Sequence, residues 1–214
     1  MKPTTPHKIV VIQALEFDNA GNILPAPPPP PVKNVQPIVV KNRAELAAAF
    51  KTLNDGDILV YNGHGNRGQY AVGTGIDAGR DWKDLWKEMG TYGLKKQPKL
   101  SCVFLASCMA DHTSNNPLTH KELKEFRELF HARIAIAPNY EYKSHTGWGW
   151  WGKDETFAGK MITDITKYHN GQIDACELDK RLHQYKERFG ITYGCNAWNH
   201  PATCPCGFGL PKFP

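Results

Sequence analysis

The stretch from Leu100 to Ala106 (LSCVFLA) is the most apolar in the chain, and it constrains the fold more than any other feature. It is too short for a helix of ordinary length and lacks the alternation of a half-solvated strand, so it must be a central strand covered on both faces. Four further short, β-branched or apolar runs accompany it: Ile9 to Leu15 (IVVIQAL), Pro37 to Val40, Asp57 to Asn62 (DILVYN) and Arg133 to Ala137 (RIAIA). Helical segments separate most of them. Asn42 with Glu45 forms a capping-box pattern that opens a helix from Arg43 to about Leu53, and Thr119 with Glu122 forms a second. After the second box, Leu123, Phe126, Leu129 and Phe130 recur at helical spacing as far as about Ala132. A short helix capped by Asp81 is expected up to Met89, and longer ones over Asp154 to His169 and Asp174 to Arg188, ended by Asn170-Gly171 and by Gly190. Gly68 to Gly79 reads as irregular, glycine-rich chain. Strands alternating with single helices imply right-handed crossovers between parallel neighbours. The expected fold class is therefore α/β, a three-layer sandwich around a mostly parallel central sheet.

At 214 residues the chain has room for one domain with appendages, at roughly 150 residues per domain. The expected division is a domain over residues 1–190, with a Pro-rich surface loop at 25–31 (PAPPPPP), and a Cys-rich extension over 191–214. With 41% hydrophobic and 22% charged residues the composition is that of a globular protein rather than a disordered one. No run reaches the roughly 18 apolar residues of a membrane helix, and Met1 to His7 lacks the layout of a signal peptide. A cytoplasmic location, no membrane partner and reduced thiols are the resulting expectations. The net charge of +5 is spread along the chain and is not by itself a nucleic-acid signature.

In open parallel sheets, ligands gather at the carboxyl ends of strands. Two such ends carry reactive groups: His64 follows DILVYNG, and Cys108 follows LSCVFLAS. If those strands are neighbours, the imidazole can hold the thiol as thiolate or take its proton, which makes a nucleophile at neutral pH. The backbone amides of Gly65 and Cys108 are then candidates for an oxyanion hole. His112 and His145 are alternative bases, whereas Cys102, inside the strand, reads as buried filler.

An apolar strand ending in His-Gly (Leu59 to Gly65), followed by a second ending in a small residue and Cys (Val103 to Cys108), resembles the caspase-like cysteine peptidases. The Asn-Gly-His-Gly stretch and the Ser-Cys pair are most similar to the metacaspase and CHAT branches. The resemblance lies directly on Asp57 to Cys108, and the order of strands and helices extends it from about Lys8 to Arg188. It implies a caspase-like fold and a cysteine-type endopeptidase. Cys108 would be the nucleophile, His64 the general base and acid, and Gly65 a contributor to oxyanion binding. No cofactor is required for that chemistry. A protein or peptide would be the substrate, and an activating or regulatory protein a further partner. Caspases place Gln, and metacaspases Asp, two positions before the nucleophile to read the P1 side chain, whereas this chain has Ala106. Charge complementarity offers Glu16, Asp18, Asp111 and Glu141 as substrate-binding acids that would favour Lys or Arg at P1.

Cys195, His200, Cys204 and Cys206 bring ligand types suited to tetrahedral zinc together in the tail. Paired zinc-binding cysteines usually have two residues between them, whereas only Pro205 separates Cys204 from Cys206. A structural zinc site, reduced thiols packing the tail, and a disulfide all remain open readings. The rival to a peptidase is a non-catalytic caspase-like module that binds a protein or nucleic acid through a zinc-stabilised tail and the Pro-rich loop.

Overall fold

The computed structural model describes residues 8–24, 29–66, 68–75, 78–107, 119–138 and 154–193. Six strands form the main sheet: β1 (Ile9–Ala14), β3 (Ile38–Val40), β4 (Ile58–Asn62), β9 (Cys102–Ala106), β10 (Ile134–Pro138) and β11 (Phe189–Tyr193). Their order is β11-β10-β9-β4-β1-β3, with β11 antiparallel to β10 and every other pairing parallel. β9 is flanked by β4 and β10, as its two-sided apolarity requires. Alternate residues face opposite cores: Val103 and Leu105 one, Cys102, Phe104 and Ala106 the other.

Helices cover both faces, making an α/β fold of three layers. One face carries α1 (Arg43–Phe50), α2 (Leu85–Thr91) and α3 (His120–Leu129), which contribute Leu46, Phe50, Leu85, Met89 and Phe126 to one core, joined by Phe130 at the end of α3. The other carries α4 (Asp154–His169) and α5 (Ala175–His183), which contribute Met161, Ile162, Ile165, Leu178 and Leu182 to the second. Right-handed crossovers that move in one direction along a sheet put their helices on one face, as the connections through α1, α2 and α3 do. The connection from β1 to β3 moves the other way and must cross the opposite face. It does so without a helix among its described residues: Val32 and Val35 pack beside α4 and α5. Pro31 crosses α4 so closely that a Cβ on Gly159 would lie 2.8 Å from its carbonyl oxygen. A glycine inside a helix costs about 1 kcal/mol, and here it makes room for the crossing chain.

Several local expectations are revised. The stretch expected to be irregular, Gly68 to Gly79, carries short strands among its described residues: β5 (Gly65–Asn66), β6 (Gln69–Ala71) and β8 (Gly79–Asp81) form a small antiparallel sheet, and β7 (Gly73–Thr74) pairs with β2 (Glu16–Phe17). Asp81 is the last residue of β8 and makes no capping bond; a 3-10 turn at Trp82–Asp84 leads into α2. Its carboxylate is held instead by Lys83, 3.1 Å away. Gly190 lies inside β11 and does not stop a helix, because α5 already ends at His183. Thr119 and Glu122 form the expected capping box. In the first box, Asn42 accepts from the Glu45 amide at 2.9 Å, but Glu45 reaches back one residue further, to the Lys41 amide at 2.7 Å.

Candidate active site at the carboxyl ends of β4 and β9

From β1 the chain runs outward to β3, then returns past β1 to β4 and continues to β9. The direction of travel therefore reverses between β1 and β4. At such a switch point the loops above adjacent strands diverge and leave a crevice at their carboxyl ends. His64 lies there, two residues after β4. In the neighbouring strand, Asn62 pairs with Ala106, so β4 and β9 end level with each other. Fully buried Ser107 follows β9; Cys108 lies outside the described residues.

The turn after β4 is tightly held. A Cβ on Gly63 would sit 2.9 Å from the Ala14 Cβ and 3.1 Å from the Ala14 carbonyl oxygen, so only glycine fits against the end of β1. The Tyr61 hydroxyl donates to the Ala71 carbonyl at 3.1 Å, and the Ala71 amide donates to the His64 carbonyl at 3.2 Å. These bonds tie the backbone on both sides of the β5–β6 hairpin to β4. Beneath the hairpin, the Trp82 ring lies 5.0 Å from Tyr61, 4.9 Å from Tyr70 and 5.2 Å from Phe126 of α3. The hairpin that follows His64 and the helix that follows the 108–118 segment thus close on one aromatic cluster. Tyr70 also donates to Glu88 of α2, whose other oxygen is 2.9 Å from Arg43 Nε.

His64 itself is half-buried, and its buried Nε2 has no hydrogen-bond partner among the described residues. A buried, unmatched imidazole nitrogen costs about 1–3 kcal/mol unless something fills its hydrogen-bonding site, and functional groups are a common reason for such a cost. Cys102 is buried within β9, and burial pushes its thiol well above the ordinary range, which leaves it inert.

Of the acids named for substrate binding, half-buried Glu16 is in β2 beyond the end of β1, near enough to help keep Tyr61 protonated after burial and Tyr70. Asp18 lies in the exposed turn that follows. Its carboxylate accepts from the Ala20 and Asn22 amides at 2.9 and 2.8 Å and from the Asn22 side chain at 2.9 Å. Those bonds, the Asn22 side chain's first, hold it below the usual carboxylate range. Asp111, Glu141, His112 and His145 lie outside the described residues, as do Cys195, His200, Cys204 and Cys206. Among the described residues no group of His, Cys, Asp and Glu could hold a metal ion, and no helix is long and apolar enough to cross a membrane.

The sequence reading missed Tyr61, Tyr70 and Trp82 as supports of the His64 turn. The available signal was Gly68, which takes a φ of 74° at the hairpin between Asn66 and Gln69. No protein-family model matches the chain, and no curated protein matches it.

Proposed function

We propose that the chain is a caspase-like cysteine endopeptidase with Cys108 as nucleophile and His64 as general base and acid. The observation that carries this reading is the level ending of the parallel neighbours β4 and β9 at a switch point, with a buried, unmatched His64 Nε2 beside it. Cys108 follows β9 by two residues, as His64 follows β4. The imidazole takes the thiol proton, and the sulfur attacks the peptide carbonyl to form a C–S bond. The imidazolium then protonates the departing amine as the C–N bond breaks, leaving an acyl-enzyme. Water, deprotonated by the same imidazole, displaces the sulfur, and the thiol regains its proton. The Gly65 and Cys108 amides would receive the oxyanion. Glu16 and Asp18, at the β1 side of the same pole, favour a basic P1 residue by charge. The Cys195, His200, Cys204 and Cys206 set would serve a structural zinc, since four protein ligands leave no place for a water.

The test is cleavage of a proteome-derived peptide library, read by mass spectrometry. Cys108→Ala is expected to lower cleavage by at least about a thousandfold, the scale on which loss of a nucleophile acts, while thermal unfolding stays unchanged. Cleavage at the wild-type rate by that variant would refute the assignment. Should neither protein cleave, alkylation decides: a Cys108 thiol reacting only near the ordinary value of about 8.5 would favour the interaction module over a latent enzyme.

A further inference from the structure

The two strands that flank the switch point, β1 and β4, run side by side from Ile9 with Ile58 to Gln13 with Asn62. On the face covered by α4 and α5 the first rows are apolar, Ile9 with Ile58 and then Val11 with Val60. The last row on that face is a pair of side-chain amides, Gln13 and Asn62. Ala106 of β9 pairs with Asn62 from the other side and belongs to the same face. Asn62 stands two residues before His64, and Ala106 two before Cys108. Amides closing an apolar face cost free energy unless their polar atoms are matched, so their presence here calls for a reason.

Within the pair, fully buried Asn62 donates from Nδ2 to Gln13 Oε1 at 2.7 Å. That bond decides which way the Gln13 amide faces: its oxygen is turned to β4 and its nitrogen away from it. Gln13 is half-buried, and its Nε2 donates to no group among the described residues. The nitrogen is also not sealed in the core, unlike His64 Nε2. Further out, the row continues to Val39 of the edge strand β3, which is 50% exposed. An oriented donor thus stands between the buried end of β4 and an open, apolar edge.

We propose that Gln13 is a substrate-binding residue, donating from Nε2 to a main-chain carbonyl of the peptide beside the scissile bond. The proposal rests on the peptidase reading and extends its site across β1. Neighbouring strands lie about 4.8 Å apart and an extended chain advances about 3.3 Å per residue, so a peptide held at His64 and crossing towards β1 reaches Gln13 within about two residues. A donor selects an acceptor. The Lys or Arg side chains that Glu16 and Asp18 favour have none, whereas every peptide residue brings a carbonyl oxygen, so this bond reads the main chain and not the sequence. Water fills the position in the free protein. Because Asn62 already holds the amide, little freedom is lost when a carbonyl displaces that water.

The test compares wild type, Gln13→Met and Gln13→Glu on two peptides that the wild-type enzyme cuts and that differ in the residues around the scissile bond. The glutamate keeps an oxygen for Asn62 but has no N–H to offer. Both variants are expected to lose at least about fivefold in kcat/KM, by the same factor on both peptides and with a rise in KM, as loss of one hydrogen bond to bound substrate requires. Alkylation of Cys108 by iodoacetamide, a reagent too small to span the distance to Gln13, is expected to keep its wild-type rate, and thermal unfolding to be alike in all three proteins. Wild-type kcat/KM in either variant, a loss confined to one peptide, or slowed alkylation would overturn the role of Gln13 and leave the peptidase reading standing. Absence of cleavage by the wild-type enzyme on every peptide would overturn both.

Discussion

The phenol of Tyr61 is fully buried, and its hydrogen bond to Ala71 joins β4 to the strand that returns from the His64 hairpin. Removing that hydroxyl leaves the buried Ala71 carbonyl without this donor, at a cost of about 1 kcal/mol. In Tyr61→Phe the Ala71 amide, which donates to the His64 carbonyl, is expected to exchange with solvent about fivefold faster, that cost expressed as a local opening constant. Hydrogen exchange by NMR reads this directly. Unchanged protection would mean that the aromatic contacts alone hold the hairpin. At this scale the sequence was legible where chemistry and pattern coincide, as at His64 after an apolar strand. It was not legible at Tyr61, because an aromatic residue in a buried strand looks the same whether its hydroxyl positions a turn or fills a core.

Among the elements, α3 ends on an unusual residue. His131 takes a φ of 45° at the position where glycine normally terminates a helix, while its amide donates to the Glu128 carbonyl and that of Ala132 to the Arg127 carbonyl, both at 3.0 Å. A side chain in that conformation is strained by about 1–2 kcal/mol, partly offset by the smaller entropy of a non-glycine unfolded chain. His131→Gly, at an exposed position, is expected to stabilise the fold by about 0.5–1 kcal/mol. That corresponds to a rise of about 1–3 °C in Tm, measured by calorimetry; a fall would show that the histidine side chain makes a compensating contact. Helices α1 and α3 were readable because their capping patterns, and in α3 the apolar spacing, are local. The small sheet at 65–81 was not, since two- and three-residue strands carry too few side chains to establish a period. β11 was missed for a related reason: Gly190 has the composition of a helix stop, and only pairing with β10 makes it a strand residue.

For the molecule as a whole, buried tyrosines set the response to alkali. Burial first, then Tyr70 and Glu16 for Tyr61, then the Asp179 charge and hydrogen bond for Tyr193, raise both phenols in the folded state. Tyr70 is raised by burial and then by its bond to Glu88. Because the folded chain holds these protons more tightly, their contribution to stability is complete below the unfolded value of about 10 and is lost as pH rises above it. The urea midpoint is expected to fall steeply between about pH 10 and 12, where these phenols ionise in the unfolded chain. A flat profile there would place the three hydroxyls in contact with solvent. The lowered carboxyls of Asp18 and Asp55 act in the opposite sense, favouring the fold above the ordinary carboxylate range and ceasing to do so as pH falls through it.

The sequence by itself determined the class of fold, since LSCVFLA, IVVIQAL and DILVYN can only be buried between helices, and it singled out His64 and Cys108 by the residues that precede them. Only the tertiary structure decided that β4 and β9 are neighbours in register, that the reversal of strand order falls beside His64, and that Val32 and Val35 of the connection from β1 to β3 pack on the face covered by α4 and α5. Periodicity and capping act over a few residues and are written locally. Strand order, by contrast, follows from which apolar faces best cover one another over long separations in the chain, and no local pattern encodes that choice.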